Sequence, residues 1–357
     1  MIFKRNFDWL LFLVIILILS LGTITIFSVN PLVFQTHLIY VFIAIFVFFL
    51  FSSLDFLIFE KLATLFYFLS LFLLLIPPFF GIFSRGAVRW IQIGGVTFQP
   101  SEFAKPFLVI FSARFWLKKG FSFKRLIVYF SLIFVPFILI VLQPDLGSSL
   151  VILGLALGMI LLTNINLKEI LGSSFLFILL APFGFMILKD YQKERIKHFL
   201  NPFADPLGAG YNIIQSIITV GSGGLFGKGF GAGTQSHLAF LPERHTDFIF
   251  ASFAEEFGFL GSLLVVLLYF FLLQKILKIA KTSRDDFGSY LSYGILFIIS
   301  FQTFVNIGMN IGILPITGVT LPLFSYGGSS LISTMICLGL IEGVSQLGYK
   351  SSSFEIN

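Results

Sequence analysis

The dominant pattern along this chain is a succession of long apolar runs separated by short polar stretches. Ten runs of roughly 18–22 residues can be drawn, each long enough to cross the ~30 Å hydrocarbon layer as a helix. They cover residues 9–29, 36–53, 62–80, 102–117, 126–142, 147–163, 169–188, 249–273, 288–310 and 326–347. The pattern predicts an all-α, polytopic integral membrane protein, with residues 1–357 forming one membrane domain. The first run resembles a signal peptide only superficially. Lys4 and Arg5 precede it, but it is too long for an h-region and has no A-x-A exit, so it reads as the first anchor.

Three regions interrupt the runs: 81–101, 189–247 and 312–325. The second, 59 residues long, is too long for a simple connector. Irregular backbone near membrane depth persists only where protein or a wet cavity satisfies its polar groups.

Composition agrees with the pattern. The chain has 357 residues, 57% hydrophobic and only 11% charged, with mean hydropathy +1.00. Soluble domains carry about 25% charged residues, so a cytosolic enzyme, a disulfide scaffold and a disordered chain are excluded. The 50 Phe residues read as lipid-facing and packing surface, and the single Cys337 provides no disulfide or cysteine metal site.

The net charge of +6 would suggest nucleic acid in a soluble protein. Here it reads as the Lys/Arg excess of cytoplasmic loops, and no nucleic-acid partner is expected. With the N-terminus inside, 14 of the 23 Lys and Arg fall in cytoplasmic segments, and most of the other nine lie in the long loop, where the rule carries less weight. Both termini are therefore placed in the cytoplasm, and all three interrupting regions outside.

Only 17 acids exist, and an ionisable group in a span is by default a functional candidate. Glu102 and Lys105 lie three apart, on one helix face. Two readings compete: a mutual ion pair, or a Lys105 that grips an anionic ligand beside a polar cavity. Arg85 and Arg89 belong to the same outer patch, and positive charge there favours a phosphate-bearing ligand. Asp145, in QPDLGSSL, is either a helix N-cap or a member of that site.

The densest polar cluster is Glu243-Arg244-His245-Thr246-Asp247, immediately before a long apolar helix. Thr246 is a candidate cap and Asp247 falls at the helix N-terminus. A cap needs only one such residue, so the convergence marks a site, with Asp247 the candidate general base. His237, His245 and Asp247 make a poor metal site, for lack of a further ligand at standard spacing. The seven glycines of 221–233 fail the P-loop pattern, because Ser222 and Gly229 stand at required Gly and Ser/Thr positions. A flexible loop or close backbone contact is the better reading, and no nucleotide cofactor is expected.

Several long motifs, in order, resemble the SEDS proteins of bacterial cell-wall synthesis, the RodA/FtsW family. They are RWIQIGG (89–95), FQPSEFAK (98–105), QPDLGSSL (143–150), FLPERHTDFIFASFAEEFGFLG (240–261) and NIGMNIGILPITGVTLPLFSYGGSS (306–330). The variants at 143–147 and 241–250 look more like the elongation members than the division members. The resemblance implies a peptidoglycan glycosyltransferase that polymerises lipid II outside the membrane, with Asp247 catalytic. It implies substrate binding by Arg89, Glu102, Lys105 and Asp145, and Arg244, His245, Thr246 and Ser325 are carried as further substrate-binding candidates. Ala239 stands where some relatives carry an acid. Implied partners are lipid II, the nascent glycan strand, a class B penicillin-binding protein and other elongation-complex membrane proteins. A divalent cation, Mg or Mn, is a further source of positive charge for the departing diphosphate. The rival readings are a lipid II flippase, the division paralogue of the same family and a non-catalytic scaffold.

Overall fold

A computed structural model of the protein describes residues 7–84, 87–93, 96–117, 122–162, 190–208, 210–238 and 240–349. The predicted span 169–188, Arg85 and Ala239 lie outside the described residues. The first three helices are α1 (Trp9–Val29), α2 (Pro31–Ser53) and α3 (Leu57–Leu75), followed by a single turn, α4 (Pro77–Phe80). A small antiparallel sheet comes next: β1 (Ile82–Ser84), β2 (Ala87–Ile93) and β3 (Val96–Phe98), in the order β1-β2-β3. Then come α5 (Pro100–Trp116), α6 (Phe123–Leu142) and α7 (Leu146–Leu161). The long loop is itself structured, with α8 (Asp190–Leu200), a 3-10 turn at Pro202–Ala204, α9 (Tyr211–Ser222) and α10 (Thr234–His237). The chain closes with α11 (Ile249–Thr282), α12 (Asp286–Asn310) and α13 (Gly328–Tyr349).

Among the described residues, seven helices are long and apolar enough to cross a membrane, and each coincides with a predicted run. The runs at 102–117 and 147–163 correspond to the shorter helices α5 and α7. These two are largely buried inside the bundle, against α3, α12 and each other. Helix α13 is the most enclosed, packed along α2 and against α5. The rings sort accordingly: Phe42, Phe46, Phe68 and Phe72 face outward, whereas Phe48, Phe253 and Phe324 fill the core.

Pro106 sits inside α5 and Pro136 inside α6, and each removes the donor that would serve the carbonyl four residues earlier. In α5, Pro106 releases the Glu102 carbonyl, which accepts from Ser333 Oγ of α13 at 2.7 Å. In α6, Pro136 releases the Leu132 carbonyl, which accepts from the Tyr67 hydroxyl of α3 at 2.9 Å. Neighbouring side chains thus supply the partner that lipid cannot.

The glycine-rich segment makes the close backbone contact expected of it. Helix α11 kinks at Gly258, where φ is +69°. A Cβ on Gly258 would fall 2.2 Å from the Gly227 nitrogen, and one on Gly227 2.1 Å from the Glu256 carbonyl. The segment also pairs with the kinked helix through Lys228 N–H to Glu255 O at 3.0 Å and Phe259 N–H to Gly224 O at 2.8 Å.

Candidate active site

Four helices present their N-terminal ends to one cavity of about 620 Å³, counting its open mouth. Gln99 and Glu102 line it from the start of α5, Ser148 from the start of α7, Thr246 and Asp247 from just before α11, and Gly327 and Ser330 from the start of α13. Arg89 and Trp90 of β2 form one wall, and Gly318, Val319 and Thr320 another. The site therefore joins the first and third interrupting regions to the end of the second. Helix N-termini carry partial positive charge and unpaired N–H groups, so their convergence favours an anion.

Glu102 and Lys105 both line the cavity and pair at 2.6 Å with almost no exposure. The ion pair is thus formed, and it stands on the cavity wall. Asp145 is the N-cap of α7, where its Oδ1 accepts from Ser148 N–H at 3.1 Å. Its Oδ2 accepts from Gln99 Nε2 and Ser101 Oγ, both at 2.9 Å, and Arg89 Nη1 lies 4.0 Å from Oδ1. Asp145 therefore sits behind the cavity, where it holds the residues that line it.

Asp247 is half-buried. Its Oδ2 lies 3.7 Å from the place a Cβ would take on Gly318, whose φ of +76° suits glycine. The turn that delivers Asp247 is organised by Glu243, whose φ is +50° and whose carbonyl accepts from the Thr246 and Phe248 N–H groups. Thr246 does not cap α11: the helix starts at Ile249 after Phe248, and the Thr246 hydroxyl donates to Glu243 instead. The tight turn points that hydroxyl back along the chain.

Arg244, His245 and Ser325 stand behind the wall rather than on it. Arg244 Nε donates to the Val29 carbonyl at the end of α1. The His245 carbonyl accepts from Tyr326 N–H at 2.9 Å, and the two rings lie 5.4 Å apart. Ser325 Oγ donates to the Thr246 carbonyl and accepts from Leu321 N–H, both at 2.8 Å. His245 and Ser325 thus join the 243–248 turn to the 318–326 loop, and Arg244 ties the same turn to α1. Tyr326 itself lines the cavity.

Other buried acids have partners elsewhere. Glu255 accepts from Lys228 Nζ, Ser236 Oγ and the Gln235 and Ser236 N–H groups, while Glu256 bonds Ser28 and His237. Glu342 accepts from Asp8 N–H and Gln346, and Asp8 pairs with Lys275 at 2.7 Å. Among the described residues, no group of three His, Cys, Asp or Glu could hold a metal ion. The cavity acids are Glu102 and Asp247.

Sequence reasoning missed Trp90, Gln99, Ser148, Thr320, Tyr326 and Ser330 on the wall, and Asn306 and Asn310 behind it. The available signal was the row of amides four apart along α12, Gln302, Asn306 and Asn310, since polar side chains in spanning helices usually bond across helices.

An all-α membrane bundle with a charged cavity at the N-terminal ends of its inner helices defines the class of protein. The chain belongs to the FtsW/RodA/SpoVE family of cell cycle proteins, whose model matches residues 2–350. It is 44% identical over 294 residues to the peptidoglycan glycosyltransferase MrdB of Escherichia coli K12, covering 80% of this chain and 78% of that one. It is 36% identical to stage V sporulation protein E of Bacillus subtilis, covering 96% and 98%. Among solved structures, a chain of a peptidoglycan synthase complex that coordinates polymerization and crosslinking superposes with TM-score 0.86 at 30% identity, covering 97% of this chain and 99% of that one. The rod shape determining protein RodA of Thermus thermophilus superposes with TM-score 0.74 at 28% identity, with the same coverage.

Proposed function

We propose that this protein is a peptidoglycan glycosyltransferase that polymerises lipid II into glycan strands for cell shape, at the outer face of the bacterial cytoplasmic membrane. The observation that carries the reading is one cavity that holds a carboxylate, Asp247, and two cations, Arg89 and Lys105, among four helix N-termini. Homologues named as peptidoglycan glycosyltransferases support it.

In the reaction a sugar 4-hydroxyl attacks the anomeric carbon that bears undecaprenyl diphosphate. Asp247 accepts the hydroxyl proton as the new bond forms. The bond to the diphosphate breaks on the opposite face, and the α-linked donor becomes a β-linked glycan. Arg89, Lys105 and the helix N-termini stabilise the negative charge of the departing diphosphate. Glu102 is taken by Lys105, so a divalent cation, Mg or Mn, would be held by Asp247 together with the substrate's phosphates. It would supply further neutralising charge to the diphosphate.

The cavity lies at the end of the bundle where Val29 meets Arg244, whereas Asp8, Lys275 and Glu342 cluster at the other end of α1. The Lys/Arg bias supports a cytoplasmic Asp8 end and, with it, an active site that faces outward. The proposed partners are lipid II, the nascent strand, a class B penicillin-binding protein as transpeptidase and other membrane proteins of the elongation complex. The synthase complex among the solved relatives supports the transpeptidase partner.

The test is a gel assay of glycan strands from purified protein and lipid II, with and without a class B partner. Polymer is expected. Failure to form strands with the cognate partner and divalent cation present, together with lipid II translocation in vesicles, would favour the flippase.

A further inference from the structure

In a regular α-helix, the N–H of residue 251 would donate to the carbonyl of residue 247, four positions back. In α11 an amide from another helix takes up both groups. The Ala251 N–H donates to Asn310 Oδ1 at 3.0 Å, and Asn310 Nδ2 donates to the Asp247 carbonyl at 3.0 Å. One side chain thus bridges the donor and acceptor that a longer helix would join directly. Helix α11 begins at Ile249 as a result, with Asp247 just outside its first turn.

Asn306 lies one turn earlier on the same face of α12. Its Nδ2 also donates to the Asp247 carbonyl, at 3.0 Å, and to the Val319 carbonyl at 2.7 Å. Two donors on one carbonyl oxygen use both of its lone pairs and fix the plane of the peptide that follows Asp247. Val319 adjoins Gly318, the residue beside the Asp247 carboxylate. One amide therefore sets the spacing between the two walls that flank that carboxylate. Both asparagines are fully buried, and they bond each other through Asn310 Nδ2 to the Asn306 carbonyl at 2.8 Å.

We infer that Asn306 and Asn310 are positioning residues for glycosyl transfer. They hold Asp247 out of the helix and aim its carboxylate into the cavity. The inference rests on the reading of Asp247 as the general base. Neither asparagine lines the cavity, so each acts through Asp247 and not through the substrate. Removal of the Asn310 amide leaves the Ala251 N–H and the Asp247 carbonyl to pair directly, which winds Asp247 into an extra helical turn and turns its carboxylate away.

The test measures kcat and KM for lipid II, per folded protein, on the full chain with its transpeptidase partner. The variants are Asn310→Ala, Asn310→Asp and Asn306→Ala, with Asp247→Asn alongside. A misplacement of about 1 Å in a reacting group lowers rate by roughly 100-fold, and a loss of that order is expected in kcat for Asn310→Ala. KM should stay within about twofold, since the lost interaction matters only in the transition state. Asn310→Asp keeps an acceptor for Ala251 but lacks the donor to Asp247, so its kcat also falls. Asn306→Ala keeps the Asn310 bridge and loses roughly tenfold in kcat. If the Asn310 variants do not fold, Asn306→Ala decides. Wild-type kcat in Asn306→Ala or Asn310→Ala beside an inactive Asp247→Asn would overturn the proposal, as would a rise in KM at unchanged kcat. A fully active Asp247→Asn would instead remove the general-base reading itself.

Discussion

Lys105 pairs with Glu102 at 2.6 Å in a buried setting, so its removal changes stability and chemistry together. A buried ion pair that loses one partner destabilises by about 3–5 kcal/mol, because the remaining charge is stranded. Lys105→Ala is therefore expected to lower the unfolding temperature sharply in detergent, and Lys105→Met with Glu102→Gln to lower it less. A thermal melt that ranks the double variant below the single would contradict this account of the pair. Arg89 gives the cleaner functional probe, since its side chain is 23% exposed and lies a loose 4.0 Å from Asp145. Arg89→Ala should weaken apparent affinity for lipid II by roughly tenfold, the scale of one lost charged hydrogen bond, with the melting temperature nearly unchanged. Unchanged affinity would remove Arg89 from the diphosphate site. At this scale the sequence singled out Arg89, Glu102, Lys105 and Asp247, which the structure brings to one cavity, because ionised groups are rare and costly in a membrane. It did not reveal their division of labour. Asp145, Arg244, His245 and Ser325 read as site residues, yet they support the wall. The neutral amides of Asn306 and Asn310 carry no charge, so the rarity of ionised groups does not point to them.

Helices α5 and α6 each carry a proline whose released carbonyl is taken by a side chain of a neighbouring helix. Ser333→Ala and Tyr67→Phe should each cost about 1 kcal/mol, the scale of an interhelical hydrogen bond in a membrane. Two wild-type melting curves would show that these bonds are replaceable. The kink in α11 is tighter, since a side chain on Gly258 meets both an unfavourable φ and the backbone at Gly227. Gly258→Ala is expected to cost about 2 kcal/mol or more, from the left-handed φ and the forced backbone shift, read as a lowered melting temperature. The spanning helices were legible because the bilayer dictates a long apolar run for each. The small sheet at 82–98 was not, since its strands of three and seven residues lie in a segment that reads only as irregular. Likewise, Gly258 falls within a run whose apolar pattern continues through the kink, so only the packing of the glycine loop reveals the bend.

At the scale of the whole molecule, the N-terminal ends of α5, α7, α11 and α13 gather at one end of the bundle, and the buried acids Glu255, Glu256 and Asp8 have partners away from the cavity. The proposed substrate contacts thus concentrate at one end, which suits a transferase; a transporter needs contacts that reach both faces. The account stands or falls on the Asp247 carboxylate. The most direct measurement is the initial rate of strand formation from lipid II by the full chain with its transpeptidase partner, wild type beside Asp247→Asn. Both proteins should show equal melting temperatures and equal recovery of the complex. The prediction is long glycan strands from the wild type and none from the variant, because an amide cannot accept the hydroxyl proton. Strand formation by Asp247→Asn at the wild-type rate would contradict it.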